Sequence, residues 1–290
     1  MITATLIVVL SVALALAWGP GTHLEFEHRV FRRRRERLPS EVAELIEKHR
    51  EAWQYGHIAA DIINFKSAGG PYSHCHRWSI IEEMRGLARS DFERAFVFGY
   101  LAHLAADTIA HNHFVPYHLA RFARTRGLGH LYWEMSADRF VPDERWAVVT
   151  ELKRDPALVP LDDLVNHTVP RKALSMTTNK VIFNHVLLVS ERRHWRTGVA
   201  AIHPIASVEL RRGFLDRFRD AAEERIFYAL GRGGLAGIAH VDANGKAAQK
   251  AAVSVRKKLL HRLVPRRMNG AESEKLAGGF LEGMNSPPRR

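Results

Sequence analysis

His103 and Asp107 stand four residues apart within segment 91–109, which is apolar on most sides. On a helix this spacing brings an imidazole and a carboxylate to one face, about 5–6 Å apart. Both groups suit zinc, and a charge inside an apolar helix needs a partner or a metal. Taken singly, the pair reads more readily as a plain hydrogen bond than as a metal site. His113 follows Asp107 by six residues, and His130 with Glu134 repeats the four-residue spacing. Upstream lie Asp61 in an apolar stretch, His74 and His76 on either side of Cys75, and His23 near the start. Of the 17 histidines, 11 fall between His23 and His130. Together these donors read as a metal cluster.

The elements that must carry these donors are helical. Val42-Ala43-Leu45-Ile46, interleaved with Glu44, Glu47 and Lys48, predicts an amphipathic helix started by Pro39-Ser40. Segment 91–109 predicts a central, buried helix. Segments 180–190 and 208–230 are further helical candidates, and no stretch alternates as a strand between hairpin turns. The fold class expected is therefore all-α, a multi-helix bundle. One domain is expected over 18–235, ended by Gly231-Arg232-Gly233-Gly234. Residues 236–290 are expected to form a basic, partly disordered tail, with a basic amphipathic helix at 253–263.

Residues 1–17 carry no charged side chain and end in Ala15-Leu16-Ala17. This is the pattern of a signal peptide with its cleavage site, although the segment has no Lys or Arg ahead of the apolar run. The run is about 16 residues, short of the roughly 20 needed to span a bilayer. Export to the periplasm or the medium is expected, the alternative being an uncleaved membrane anchor. Cleavage after Ala17 exposes the Trp18 amine, which together with the Trp18 carbonyl oxygen can chelate a metal.

With 290 residues, 46% of them apolar and 26% charged, the chain is long enough for a core and is neither a disordered nor a polytopic membrane protein. A single cysteine excludes internal disulfides and cysteine-built zinc sites. The net charge of +12 suggests an anionic partner. Much of it sits in segment 241–290, with 11 Lys/Arg against 4 Asp/Glu. The tail is thus a candidate for contact with an anionic membrane surface or nucleic acid.

The order Trp-x4-His, Asp, His, His-x3-Asp-x5-His, His-x3-Glu, with FGYLAHLAADTIAHNHF at its centre, resembles the zinc-dependent phospholipase C and S1/P1 nuclease superfamily. The final His-x3-Glu is similar to the phospholipase branch, and the short Trp-x4-His spacing to the nuclease branch. The resemblance covers roughly residues 18–138. It implies an all-helical bundle with a trinuclear zinc site and phosphodiester hydrolysis by metal-activated water. Carried over, Asp61, His74, His103 and Asp107 hold one zinc. The Trp18 amine and carbonyl, His23 and a bridging Asp107 hold a second, and His113, His130 and Glu134 a third. Asp61 also serves as general base.

His76 competes with His74, which the "SHCH" text favours, and His28 competes with His23. His111 is read as facing away from the cluster or supporting a ligand from behind, and His57 as orienting Asp61. The substrate implied is a phospholipid. Single-stranded nucleic acid is the alternative, and a zinc-binding protein with little hydrolase activity a third reading. Choline-cleaving members carry an aromatic residue where this chain has Ile62, and an acid where it has Gly19-Pro20-Gly21. Tyr72, Trp78, Tyr132 and Trp133 are candidates for a pocket wall, and a nuclease would use Arg77 and Trp78.

Overall fold

The computed structural model describes residues 18–63, 75–122, 133, 136–169, 176–180, 210–263 and 270–288. Every regular element among them is helical, as the periodicity requires. In chain order these are α1 (Pro20–Arg32), α2 (Arg34–Arg37), α3 (Ser40–Lys48), α4 (Arg50–Ile62), α5 (Ser79–Leu87) and α6 (Asp91–Ile109). A π-helical turn, Ala110–Phe114, joins α6 to α7 (Val115–Arg121). There follow α8 (Asp143–Arg154), α9 (Val159–Thr168), α10 (Arg212–Leu230), α11 (Gly234–Ile238), α12 (Lys246–Leu263) and α13 (Gly270–Gly278). The expected signal peptide, residues 1–17, and all but the first residue of the expected helix over 180–190 lie outside the described residues. No helix among the described residues is long and apolar enough to cross a membrane.

The centre of the bundle is α6. Its start is set by a capping box: the Ser90 hydroxyl accepts the Glu93 N–H at 3.2 Å, and the Glu93 carboxylate accepts the Ser90 N–H at 2.9 Å. Beyond the first turn nearly every side chain is buried, because the helix is apolar on all sides. Helix α4 packs along α6, and the two backbones meet where glycine faces glycine. A Cβ on Gly99 would lie 2.9 Å from the Gly56 Cα and run into the Trp53 carbonyl oxygen. The small residues allow an approach that any side chain would block. This crossing sets the last turns of α4, with His57 and Asp61, against the His103–Asp107 face of α6.

The π turn has an identifiable cause. Pro116 has no N–H for the carbonyl four residues back, and its ring crowds that carbonyl. The helix widens instead, and the Val115 N–H bonds the Ala110 carbonyl five residues back. His111 and His113 both sit on this turn.

The C-terminal residues differ from the expected tail. Helices α12 and α13 both pack against α7, α12 also meets the π turn, and Ala252, Ala277 and Met284 are buried. Their buried stripe is narrow and made mostly of alanine, too weak a pattern to stand out in a lysine-rich sequence.

Candidate metal centre

Five buried side chains converge at the α4–α6 crossing: His23 from α1, Asp61 from the end of α4, His76 from the turn before α5, and His103 and Asp107 from α6. His76 Nε2 lies 3.0 Å from Asp107 Oδ2 and 3.0 Å from His103 Nε2, and His103 Nε2 lies 3.4 Å from Asp107 Oδ2. His23 Nε2 lies 3.3 Å from the other Asp107 oxygen, Oδ1, and 3.7 Å from Asp61 Oδ2. His103 Nε2 is also 3.9 Å from Asp61 Oδ1.

The protons in this cluster can be placed. His103 Nδ1 is 2.8 Å from the His57 carbonyl oxygen, which can only accept. His103 therefore carries a proton on Nδ1 and, in its neutral form, turns the Nε2 lone pair inward. The Cys75 thiol donates to the Ala60 carbonyl at 3.5 Å, so its sulfur accepts from His76 Nδ1 at 3.1 Å. The His76 Nε2 lone pair is likewise turned inward. Two lone pairs and a carboxylate oxygen at such separations repel unless a cation lies among them. Donors on a tetrahedral zinc stand about 3.3 Å apart, given metal–nitrogen bonds of about 2.0–2.1 Å. The separations in this group match that edge. Among the described residues, neither His23 nitrogen nor either Asp107 oxygen has a hydrogen bond of ordinary geometry, although all four atoms are buried. Buried polar atoms left this way mark a site that a metal completes. The donor set fits zinc.

Burial lowers His103, but Asp107 and Asp61 beside it raise it above the usual imidazole value, a place for positive charge that a bound cation would take over. Burial pushes the Asp107 carboxyl up, but His103 above all, with His23 and His76 close beside it, holds it well below the usual carboxylate range. Burial, and then the proximity of His103, lower His23 and favour its neutral, metal-binding form.

The residues expected at the site fare differently. His23, Asp61, His103 and Asp107 come together. The fold delivers His76 to them, although the sequence reading favoured His74; His74 itself, with His130 and Glu134, lies outside the described residues. Trp18 is buried, its ring stacked on Phe114 at 4.6 Å and its indole N–H 3.4 Å from the Ala106 carbonyl, one residue before Asp107. His28 is half-buried near Arg145 and Glu25, away from the cluster that His23 enters. His113 is half-buried, with Nδ1 2.7 Å from the Phe280 carbonyl oxygen. His111 Nε2 reaches within 3.7 Å of Asp107 Oδ2.

The role expected of His57 needs correcting. Its ring packs edge-on against Trp53, and among the described residues its nitrogens make no hydrogen bond. The part of His57 that orients a cluster residue is its carbonyl, acting on His103 rather than Asp61. The aromatic and basic candidates are also engaged elsewhere. Arg77 binds Glu83 and the Thr168 carbonyl. Trp78 donates to the Val241 carbonyl at 2.7 Å. Trp133 is buried against His118 and Phe122. Tyr72 and Tyr132 lie outside the described residues.

Gly19 has a steric reason to be glycine. A side chain there would collide with the carboxylate of Asp138, which accepts the Thr22 hydroxyl at 2.5 Å and anchors the start of α1.

A family model described as zinc dependent phospholipase C matches residues 22–171. No curated protein and no solved structure matches the chain.

Proposed function

Because the chain belongs to the zinc-dependent phospholipase C family, we propose that it is a zinc-dependent phosphodiesterase that hydrolyses phospholipids. The observation that carries this reading is the divided carboxylate of Asp107. One oxygen faces His23 and the other faces His76 and His103, as a bridge between two metal positions requires. In this reading Asp61, His76, His103 and Asp107 hold one zinc. Trp18, His23 and Asp107 hold a second, and His113, His130 and Glu134 a third.

Bound zinc supplies Lewis acidity, lowering the pKa of a water and drawing charge from the phosphate. The chain supplies the rest. The His57 carbonyl and the Cys75 sulfur lock two imidazoles in their ligand tautomers, so little reorganisation is needed. Asp61 carboxylate oxygens accept the proton of the attacking water. Burial keeps bulk water from competing with these contacts.

Export belongs to the same reading, since cleavage after Ala17 frees the Trp18 amine. Contact with an anionic membrane surface belongs to the same reading, with the exposed Lys257 and Lys258 of α12 supplying positive charge.

The test is zinc analysis of the purified protein, followed by incubation with mixed phospholipid vesicles. The expected result is three zinc ions per chain and release of diacylglycerol with a phosphorylated headgroup, abolished by chelator and restored by zinc. Fewer than two zinc ions at neutral pH would overturn the site. Cleavage of single-stranded nucleic acid in place of phospholipid would make the chain a nuclease. Full zinc with neither activity would leave it a metal-binding protein.

A further inference from the structure

The C-terminal segment lies beyond the residues matched by the family model, 22–171, yet three of its groups reach His76, His111 and His113. Asn244 Nδ2 donates to the His76 carbonyl at 3.0 Å, pinning the turn that carries Cys75 and His76. The Phe280 carbonyl accepts from His113 Nδ1 at 2.7 Å. Gln249 Nε2 stands 3.2 Å from His111 Nδ1. The orientation of the Gln249 amide is fixed, because the same nitrogen donates to the Asn244 carbonyl at 3.0 Å.

The consequence is a pair of opposite tautomers two residues apart. Gln249 donates to His111 Nδ1, so His111 carries its proton on Nε2, the atom 3.7 Å from Asp107 Oδ2. The Phe280 carbonyl can only accept, so His113 carries its proton on Nδ1 and keeps Nε2 as a lone pair. His111 is thereby set as a donor toward Asp107, and His113 as a ligand.

The segment is fastened in register by other contacts. Asn112 Nδ2 donates to the Asp242 carbonyl at 2.8 Å, and the Trp78 indole to the Val241 carbonyl. Gly245 has φ +58°, a conformation that favours glycine, and a side chain there would strike the His111 carbonyl.

We propose that Asn244, Gln249 and the Phe280 carbonyl form an outer hydrogen-bonding shell of the metal centre, with Gln249 as the positioning residue that sets the tautomer of His111. This rests on the zinc reading above. Such outer partners orient ligands, and their loss typically costs about 10–100-fold in metal affinity.

The experiment uses the full chain with two readouts: zinc retention against a graded chelator, and ring 15N signals of labelled histidines. Gln249→Leu and Asn244→Ala should each weaken zinc retention about tenfold or more, with Lys250→Ala, one residue from Gln249, unchanged. Gln249→Glu, nearly isosteric, presents an acceptor to His111 Nδ1 and should move the His111 proton from Nε2 to Nδ1. Should Gln249→Leu fail to fold, Gln249→Glu decides. Parental zinc retention in Gln249→Leu, or an unchanged His111 tautomer in Gln249→Glu, would overturn the proposal. A parent chain that binds no zinc would overturn the zinc reading instead, and the His111 ring signals still test the shell without metal.

Discussion

The two oxygens of Asp107 face different donors, Oδ1 toward His23 and Oδ2 toward His76 and His103. Asp107→Asn replaces one oxygen by an amide nitrogen, which does not bind zinc, and removes the charge. More than one zinc ion per chain should be lost together, as elemental analysis after gel filtration would read; loss of a single ion contradicts bridging. His118 makes a prediction about stability. It is fully buried among Phe114, Trp133 and Phe218, with Nδ1–H donated to the Phe114 carbonyl. Burial pushes it from 6.5 down to about 3. Between those values the unfolded chain binds a proton that the fold does not. The associated stability is present above pH 6.5 and is lost as the pH falls toward 3. Urea unfolding of the parent should lose about 2 kcal/mol more than His118→Phe between pH 7 and pH 4.5. Identical pH dependence would remove His118 as the cause.

Helix α6 carries two cluster ligands only if its ends and its crossing are right. The capping box at Ser90 is remote from the donors, so Ser90→Ala should cost about 1 kcal/mol in chemical unfolding while zinc content stays at the parental value. The Gly56–Gly99 crossing is closer to the chemistry. A methyl group on Gly99 would push α4 away from α6, and with it the His57 carbonyl that orients His103. Gly99→Ala should cost about 2 kcal/mol or more and weaken zinc retention as well. Normal zinc binding in a destabilised Gly99→Ala protein would show that the crossing serves packing alone. The π turn belongs to the same scale. Pro116 enforces it, and both histidines on it are oriented by the C-terminal segment, not by α6.

The whole molecule has a single cysteine, Cys75, buried and unable to staple the chain. Its centre holds two buried carboxylates, Asp61 and Asp107, a costly arrangement that a bound cation relieves. Zinc should therefore act as the staple. The melting temperature should fall on chelation and rise again with added zinc in a concentration-dependent way; a melting curve indifferent to zinc would sink this. Much of the architecture was readable from local spacing. The all-α class, the limits of α6 and the placing of His103 and Asp107 on one face follow from a period of 3.6 residues, which acts over a few turns. The order of the donors along the chain also carried the family resemblance. Other features have no local signal. His76 sits in an irregular turn, where no periodicity says which of two neighbouring histidines points inward. His57 contributes its backbone carbonyl, an atom every residue has. Asn244 lies 168 residues from His76, Gln249 138 from His111, and Phe280 167 from His113. Periodicity selects the face of a helix, but which groups meet across such separations is set by how the helices pack, and here that depends on two glycines and a proline.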